Sequence, residues 1–305
     1  MKDTPIFHLP FYLDAVAGDN WDVALVHINE QLVASMPYVI EKIKGYSNIV
    51  QPPLSQFGGP WFSKEYLKKN RVGREKQLMD ELFAQLPPHS SYLQNWHHEI
   101  TNWLPLYWKG FSQTTRYTYL IPDTSDLKSV WDNLQPNVKS RIRNSEKNLT
   151  VIETDDFDNM YRILSKSFQS RKKSGLFPEV QFKNLNEALG KNNSRKILIA
   201  EDSEKIQLGT AYFIWDEVSV YYLAGGISGE GKNTGIMQLL LWEAIKFASS
   251  KGLAFDFEGS MIEPIEEFFR AFGTTQKPYL SVSKVNSKKI KIMEALKSIK
   301  RALLE

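Results

Sequence analysis

The sequence predicts an α/β protein built from two halves of similar organisation. Its 305 residues are enough for two domains of ordinary size. Short strand-like segments alternate with longer segments in which apolar residues recur at helical spacing. An apolar strand, a polar turn and a second strand entering with Gln-Leu occur at residues 23–34 and again at 197–211. Any β-hairpin resembles this pattern, but together with the element order the repeat indicates a tandem duplication.

The first half, residues 1–121, is predicted to open with a β-hairpin that turns at Asn29-Glu30. The Pro and Gly residues between positions 52 and 60 then break the chain into a loop. The turn signal Pro122-Asp123 marks the predicted domain boundary. The predicted elements of this half are hairpin strands at 21–28 and 31–40, a helix at 74–86 and a strand at 114–121.

The second half, residues 122–286, is predicted to alternate helices and strands. Gly252 and Gly273 stand where two of its helices are expected to stop. Residues 287–305 predict a separate basic, amphipathic helix. The predicted helices are 126–147 (interrupted by Pro136), 157–172, 234–250 and 264–272, and the predicted strands are 151–153, 196–201, 207–216, 218–225, 254–257 and 279–285.

Composition excludes several classes of chemistry. The chain has no cysteine, which rules out disulfides, a thiol nucleophile and thiolate zinc sites. No metal-ligand spacing is visible around the adjacent His97 and His98. The N-terminus lacks the apolar run of a signal peptide, and no uncharged stretch is long enough to cross a bilayer. We therefore expect a cytoplasmic protein without a metal.

Charge is concentrated at the C-terminal end. The net charge is +3, of which the segment from Lys284 onward contributes +5, so the rest of the chain is net −2. This distribution argues against a general nucleic-acid coating, and we expect no DNA partner. The final helix places Ile292, Leu296, Ile299 and Leu303 on one stripe. Such a helix either docks on the protein's own second domain or lies on anionic lipid as a peripheral membrane contact.

A glycine-rich segment at residues 225–235 follows a predicted strand and precedes a predicted helix. Glycines let backbone N–H groups turn toward a ligand, and the helix start adds its positive dipole end. Lys232 adds a charge, and the arrangement suits a pyrophosphate or phosphodiester. The loop is neither a Walker loop nor GxGxxG, so a flexible connection is the alternative. The predicted donor-binding residues are Gly231, Lys232, Asn233 and Thr234.

Two carboxylates end the strand Phe255-Asp256-Phe257-Glu258. Alternation places Asp256 and Glu258 on one face, where they can orient or deprotonate an amine. The alternative is that they cap the next helix or pair with a base. On that helix, Arg270 can stabilise a developing oxyanion, or it can pair with Glu266 at i, i+4. These three residues are the predicted catalytic set.

Basic and aromatic residues elsewhere predict acceptor contacts. Residues 139–147 place Lys139, Arg143 and Lys147 along one helical face, a phosphate-contact pattern whose alternative is a solvated face. The sequence Tyr107-Trp108-Lys109 mixes rings with a cation and predicts a pocket lining. The predicted acceptor-binding residues are Trp108, Lys109, Arg141, Arg143 and Tyr222.

Two motifs resemble the Fem and GNAT-like acyltransferase group. They are Phe255-Asp256-Phe257-Glu258-Gly259-Ser260 and Phe268-Phe269-Arg270-Ala271-Phe272-Gly273, and residues 136–147 resemble the basic helix that opens the second domain of that group. The resemblance covers residues 135–285. It implies two GNAT-like domains in tandem, each a mixed, mostly antiparallel sheet flanked by helices. One departure is Arg270, since many relatives have lysine there, and arginine does not titrate usefully.

The resemblance further implies transfer of an activated acyl group to an amine. The donor is aminoacyl-tRNA or acyl-CoA, used as a cosubstrate rather than as a tightly bound cofactor, and the acceptor is a cell-wall (peptidoglycan) precursor or a related amine. A CoA-dependent N-acyltransferase of a small metabolite or glycan, and a non-catalytic binding protein of the same fold, remain the alternatives.

Overall fold

The computed structural model describes residues 4–170, 176–229 and 235–292. The chain forms two compact units. Unit 1 comprises Met1–Val16 and Tyr117–Lys277, and unit 2 comprises Ala17–Arg116 and Pro278–Glu305. Both units are α/β, as the sequence predicts.

The secondary structure alternates strands and helices along the whole chain. The helices are α1 (Pro10–Ala17), α2 (Lys64–Leu67), α3 (Arg71–Ala84), α4 (Leu104–Tyr107), α5 (Leu127–Asn133), α6 (Pro136–Ser145), α7 (Phe157–Ser170), α8 (Glu179–Lys191), α9 (Ile236–Lys251) and α10 (Glu263–Arg270). The strands are β1 (Trp21–Ile28), β2 (Gln31–Ile43), β3 (Tyr46–Val50), β4 (Trp61–Phe62), β5 (Ser91–Asn95), β6 (Ser112–Ile121), β7 (Thr150–Thr154), β8 (Arg195–Glu201), β9 (Gln207–Trp215), β10 (Ser219–Ile227), β11 (Ala254–Asp256) and β12 (Thr275–Val285).

The predicted hairpin at the start of unit 2 is confirmed. β1 and β2 pair antiparallel around Asn29 and Glu30, whose φ angles of 49° and 65° are those of a tight hairpin turn. The sheet of unit 2 has the order β1-β2-β3-β5-β12, with β4 added on β2. Helix α3 covers it with the fully buried Leu78, Met79 and Leu82. The apolar stripe that predicted this helix is therefore its core face.

Unit 1 contains the sheet β7-β8-β9-β10-β11-β6. Its main helix is α9, which is buried on most of its circumference and ends at Gly252 in the left-handed conformation, with φ 68°. The predicted helix over 126–147 is two helices, and Pro136 begins the second. Several elements of the two units are not predicted from the sequence, namely α1, α2, α4, α8, β3, β4 and β5.

The two units repeat the same strand directions. In unit 2 the successive pairs from β1 to β12 are antiparallel, antiparallel, parallel and antiparallel. In unit 1 the pairs from β8 through β9, β10 and β11 to β6 follow the same sequence. In each unit the parallel pair is joined by a crossover that contains a helix, α3 or α9. The tandem organisation predicted from the hairpin repeat is therefore present in the topology.

The compact units are discontinuous, unlike the contiguous segments 1–121, 122–286 and 287–305 expected from the sequence. The N-terminal segment belongs to unit 1, where the N–H of Ile6 donates to Asp216 Oδ2 at 3.2 Å. The segment from Pro278 belongs to unit 2, where β12 pairs with β5. A side-chain hydrogen bond in the first case and strand pairing in the second join segments that are distant in the sequence, and the order of residues along the chain does not reveal such contacts.

Most of the predicted C-terminal helix, residues 287–305, lies outside the described residues, so its docking on protein or lipid stays a prediction. Across the part of the chain that is described, no helix combines the length and the apolar character needed to span a bilayer.

Candidate active site

A cavity of roughly 950 Å³ lies in unit 1 where β10 and β11 separate. Its volume is in the range of pockets that hold substrates or cofactors. Backbone and side chains of β10, the turn after β11, and helices α6, α9 and α10 surround it. The lining includes Gln135, Asn137, Val138, Arg141, Phe168, residues 222–227, Gly235, Met237, Gln238, residues 257–259 and much of α10.

The separation of the two strands has a simple cause. β10 and β11 pair in parallel only from Ser219 to Tyr221. Beyond this point β10 stays paired with β9 as far as Ile227, whereas the N–H of Phe257 donates to Tyr119 O on β6 at 3.0 Å. β10 stays paired with β9 and the chain after β11 stays paired with β6, so a wedge-shaped gap opens between β10 and β11. The ladder between β10 and β11 therefore ends at Tyr221, and residues 222–227 of β10 line the cavity.

A β-bulge further distinguishes β10 at the wedge. The register with β9 shifts between Tyr222 and Ala224, which leaves Leu223 without a partner in that ladder. A bulge re-aims the backbone and side chains next to it. It lies at the point where β10 leaves β11, so the bulged residue forms part of the cavity wall.

The turn after β11 holds Glu258 in the cavity wall. Asp256 Oδ1 accepts a hydrogen bond from the N–H of Glu258 at 2.7 Å and another from Thr118 Oγ1 at 2.6 Å. Glu258 and Gly259 both adopt left-handed backbone conformations, with φ 59° and 65°. A Cβ on Gly259 would lie 2.1 Å from Tyr117 O, so the turn is pressed against β6 and only glycine fits there.

Glu258 is chemically unusual. Its Oε1 is buried and has no hydrogen-bond partner among the described residues. Burial, and secondarily the charge of Asp256, hold the pKa of Glu258 well above the ordinary value of a glutamate. A carboxylate with a raised pKa is a stronger base than a solvated one. Glu258 therefore has the properties of a proton acceptor in a cavity large enough for a substrate.

The other predicted catalytic residues have different positions. Asp256 is buried behind the cavity and does not line it, so it acts through the turn it holds and through its charge. Arg270 lines the cavity from α10, but its side chain is more than half exposed, and its Nε donates to Glu266 Oε1 at 3.0 Å. Glu266 Oε1 also accepts from the hydroxyl of Tyr119 at 2.8 Å. The i, i+4 ion pair left open by the sequence is thus present.

The predicted acceptor residues do not all meet. Arg141 and Tyr222 line the cavity. Arg143 lies on the outer face of α6, where its guanidinium stacks over Trp131 with 5.3 Å to the ring centroid. Because Arg141 and Arg143 are two positions apart on one helix, they point to different sides.

Trp108 and Lys109 belong to unit 2. There Lys76 lies over the ring of Trp108, and Lys109 pairs with Asp80 at 2.9 Å. Their assignment to acceptor binding stays a prediction. The predicted donor-binding residues Gly231, Lys232, Asn233 and Thr234 lie outside the described residues.

Sequence reasoning missed several contributors to this site. Thr118 anchors Asp256 from β6, and Gln135, Asn137 and Gln238 bring polar groups to the cavity. Nothing in the local sequence marks Thr118, because its role depends on the register of β6 against β11. The polar residues at the start of α6 and α9 are detectable only as helix-start positions near the glycine-rich segment.

The corresponding position in unit 2 is filled. The parallel pair β3–β5 ends at Val50 and Leu93, and beyond it the side chain of Gln94 donates to Pro37 O and accepts from the N–H of Gly59. The fully buried Trp96 occupies the adjacent space, and a Cβ on Gly59 would lie 2.3 Å from its ring. In unit 2, side chains of the protein itself therefore fill the position that is a cavity in unit 1.

Comparison with known proteins agrees with this geometry. The family described as the Acetyltransferase (GNAT) domain matches residues 135–268, the segment that contains the cavity. No curated protein sequence shows significant similarity to the chain.

Solved structures extend the similarity over most of the chain. FemX is 13% identical, with 90% of this chain and 91% of FemX covered and a TM-score of 0.66. L-PGS from Bacillus licheniformis is 11% identical, with 92% and 89% covered and a TM-score of 0.56. A tandem GNAT protein from the clavulanic acid biosynthesis pathway is 7% identical, with 88% and 84% covered and a TM-score of 0.51. Residues 135–268 therefore match a GNAT domain, and the chain as a whole has a Fem-like fold with mixed, mostly antiparallel sheets in tandem.

Proposed function

We propose that the chain transfers an activated acyl group to an amine in the cavity of unit 1, and that Glu258 accepts the proton released by the amine. The observation that carries this proposal is a carboxyl group in the wall of a substrate-sized cavity, with a raised pKa and a buried oxygen that has no hydrogen-bond partner in the described parts of the chain. The similarity of residues 135–268 to the GNAT domain supports the same reaction class.

The reaction needs an amine in its neutral form. The amine nitrogen attacks the acyl carbon of an ester or thioester, the C–O or C–S bond breaks, and one proton leaves the nitrogen. Glu258 takes that proton, and the departing alcohol or thiol regains one from solvent. No covalent enzyme intermediate is required, which agrees with the lack of cysteine.

The wedge side of β10 supports binding of an extended donor. The backbone of Leu223, Ala224 and Gly225 lines the cavity beyond the end of the β10–β11 ladder, so a donor arm that carries amides can pair with it as an added strand does. Backbone N–H groups at the bulge are suited to stabilise the oxyanion of the tetrahedral intermediate, because they are fixed in place before the reaction. Both features favour an acyl-CoA thioester, whose pantetheine arm contains two amides.

An aminoacyl ester of tRNA is the second candidate donor. Lys139 and Arg143 on α6, with Lys147 just after the helix, line a groove of roughly 350 Å³. A row of cations beside the reaction cavity suits successive phosphates of a polyanion. The similarity to FemX is compatible with this donor but shows the fold alone.

The test compares both donors with the same amine acceptors. Because the chain has no cysteine, a thiol reagent reports CoA release without background from the protein. Acetyl-CoA or a longer acyl-CoA, and separately aminoacyl-tRNA, are incubated with a panel of amines that includes a peptidoglycan precursor. We expect amine-dependent turnover with one donor and a loss of about 10²–10⁴ in Glu258→Gln.

Two results would argue against the proposal. Donor cleavage that does not depend on an amine would exclude amine transfer, and undiminished transfer in Glu258→Gln would exclude the base. Binding of a CoA ester or of tRNA without turnover on any amine would favour a non-catalytic protein of this fold. A salt series separates the donors, since tRNA binding falls steeply with salt.

A further inference from the structure

An exposed apolar cluster lies on unit 2. It consists of Val72 in the first turn of α3 and Leu104, Tyr107 and Trp108 on and just after α4. Their exposed fractions are 71%, 48%, 58% and 61%. We call these four residues the α3–α4 surface. Isolated exposed apolar residues are ordinary, but a group that includes Trp and Tyr indicates a binding surface.

Helical spacing and one cation–π contact link Val72 of α3 to Leu104 and Trp108 of α4, and Tyr107 precedes Trp108 in the chain. Leu104 and Trp108 are one helical turn apart, and the N–H of Trp108 donates to Leu104 O at 3.3 Å. Val72 and Lys76 are likewise one turn apart on α3, and the ammonium of Lys76 lies 5.3 Å from the centre of the Trp108 ring. Lys76 therefore bridges the apolar residue of α3 to those of α4.

Cations flank this surface. The segment from Lys64 to Lys76 contains six lysines and arginines and two glutamates, a net charge of +4. Lys64, Lys68 and Arg71 are paired with nearby glutamates.

Three cations of this segment have no ion pair within the part of the chain that the structure describes. Among the described residues, Lys69, Arg74 and Lys76 have no acidic partner. Arg74 and Lys76 lie over the rings of Tyr66 and Trp108 instead of against a carboxylate. Apolar side chains and unneutralised positive charge thus occupy the same surface.

This combination fits an anionic membrane better than a folded protein. Trp and Tyr rings prefer the boundary between lipid headgroups and acyl chains, and lysine stems reach from that depth to the phosphates. Four partly exposed side chains offer much less than the roughly 800 Å² per partner of a stable protein interface. A lipid surface needs only a few anchoring rings and several cations, because anionic lipids surround the whole contact.

We propose that the α3–α4 surface binds the chain peripherally to anionic lipid bilayers, with Tyr107 and Trp108 entering the interface and Lys69 and Lys76 contacting lipid phosphates. This surface differs from the C-terminal helix that the sequence predicts as a membrane contact, and the proposal does not depend on acyl transfer.

The experiment measures partitioning of the full chain onto sedimented vesicles at ~0.1 M salt. Vesicles of equal phosphatidylglycerol and phosphatidylcholine are compared with pure phosphatidylcholine. The ring variant combines Tyr107→Ala with Trp108→Ala, and the charge variant combines Lys69→Glu with Lys76→Glu. The control variant combines Val180→Ala with Lys191→Glu on the exposed face of α8 in unit 1. Circular dichroism and thermal unfolding establish that each variant folds.

We expect the wild type to prefer anionic vesicles, the ring variant to bind about tenfold more weakly and the charge variant at least about fivefold more weakly. The control should match the wild type. Unchanged binding in both the ring and the charge variants would overturn the proposal and assign the affinity to the C-terminal segment. Loss in the charge variant alone, accompanied by an equal loss of tRNA binding, would also overturn it and indicate a polyanion site.

Discussion

Asp256 Oδ1 accepts a hydrogen bond from the backbone N–H of Glu258 at 2.7 Å, so the buried carboxylate fixes the turn that places the second carboxylate in the cavity wall. The pair does not share one function. Asp256 is anchored by Thr118 and does not line the cavity, whereas Glu258 does, and one of its oxygens has no hydrogen-bond partner among residues 4–170, 176–229 and 235–292. The charge of Asp256 also raises the pKa of Glu258. One residue thus positions and tunes the other.

The pH dependence of transfer should show this tuning. Glu258 must be deprotonated to accept a proton, so kcat/KM should fall as pH falls through its raised pKa, at a pH well above that of an ordinary glutamate. Asp256→Asn keeps an acceptor oxygen for the turn but removes the charge, so the acidic limb should move to lower pH. Steady-state profiles of both proteins test this. An acidic limb of the kcat/KM profile near the ordinary glutamate pKa of about 4.3 would contradict the role of Glu258 as the base. An acidic limb that does not move in Asp256→Asn would contradict the tuning of Glu258 by Asp256.

Stability should depend on pH through the same group. A glutamate whose pKa is raised in the folded state stabilises the fold most below its unfolded pKa, and this stabilisation is lost as pH rises through the folded pKa. Glutamine at position 258 does not ionise, so the Glu258→Gln variant does not lose this stabilisation as pH rises. Relative to the wild type, the variant should therefore gain unfolding free energy as pH rises from below the ordinary pKa of a glutamate to neutrality. Urea denaturation at several pH values measures the difference, and parallel curves for the two proteins would show that Glu258 is not desolvated.

The turn after Glu258 should tolerate no side chain at Gly259. Alanine there would combine a left-handed backbone with a Cβ 2.1 Å from Tyr117 O, so we expect a loss of about 3 kcal/mol or more. Gly252 is a matched control, since it has a similar φ of 68° but no atom within 4 Å of a Cβ. Gly252→Ala should cost only about 1 kcal/mol. Equal losses in the two variants would mean that the backbone conformation, not the contact with β6, requires Gly259.

Substitutions of Arg270 can distinguish a catalytic role of its guanidinium from a structural one. Its ion pair with Glu266 is exposed, so removing it should change the melting temperature little. If the guanidinium stabilises negative charge at the cavity, Arg270→Ala should lower kcat about tenfold to a thousandfold and Arg270→Lys much less. Glu266→Gln provides the control, because it removes the partner and keeps the cation. Normal turnover in Arg270→Ala would leave the ion pair as its only role.

The sequence predicts correctly those elements that are determined by neighbouring residues in the chain. The hairpin turn at Asn29 and Glu30, the start of α6 at Pro136 and the end of α9 at Gly252 all match, because turn and cap chemistry depends on neighbouring residues. The Asp256–Glu258 motif was also correctly located at the end of a strand beside a helix.

Features that depend on distant pairing were not reached. The sequence analysis treated Asp256 and Glu258 as a like pair on one face, yet the strand ends at Asp256 and a left-handed turn sends Glu258 into the cavity. The wedge itself arises because β11 follows β6 and β10 follows β9, which no local pattern encodes. For the same reason the equivalent position in unit 2, filled by Gln94 and Trp96, could not be distinguished from that of unit 1.

The two glycines at the end of β10 should respond differently to alanine. At Gly225 a Cβ would lie 2.2 Å from the hydroxyl of Tyr222, the mobile end of a side chain that lines the cavity. At Gly226 it would lie 2.8 Å from Ser167 Cβ and 3.2 Å from the backbone of Leu164, so α7 would have to move. We therefore expect Gly225→Ala to raise the KM for the donor about tenfold with little change in stability. Gly226→Ala should instead cost about 1–3 kcal/mol of unfolding free energy.

Urea denaturation and donor-saturation kinetics on both variants measure the contrast. A stability loss shared equally by the two would show that Tyr222 cannot yield, and an unchanged KM in Gly225→Ala would remove Tyr222 from the donor side of the cavity.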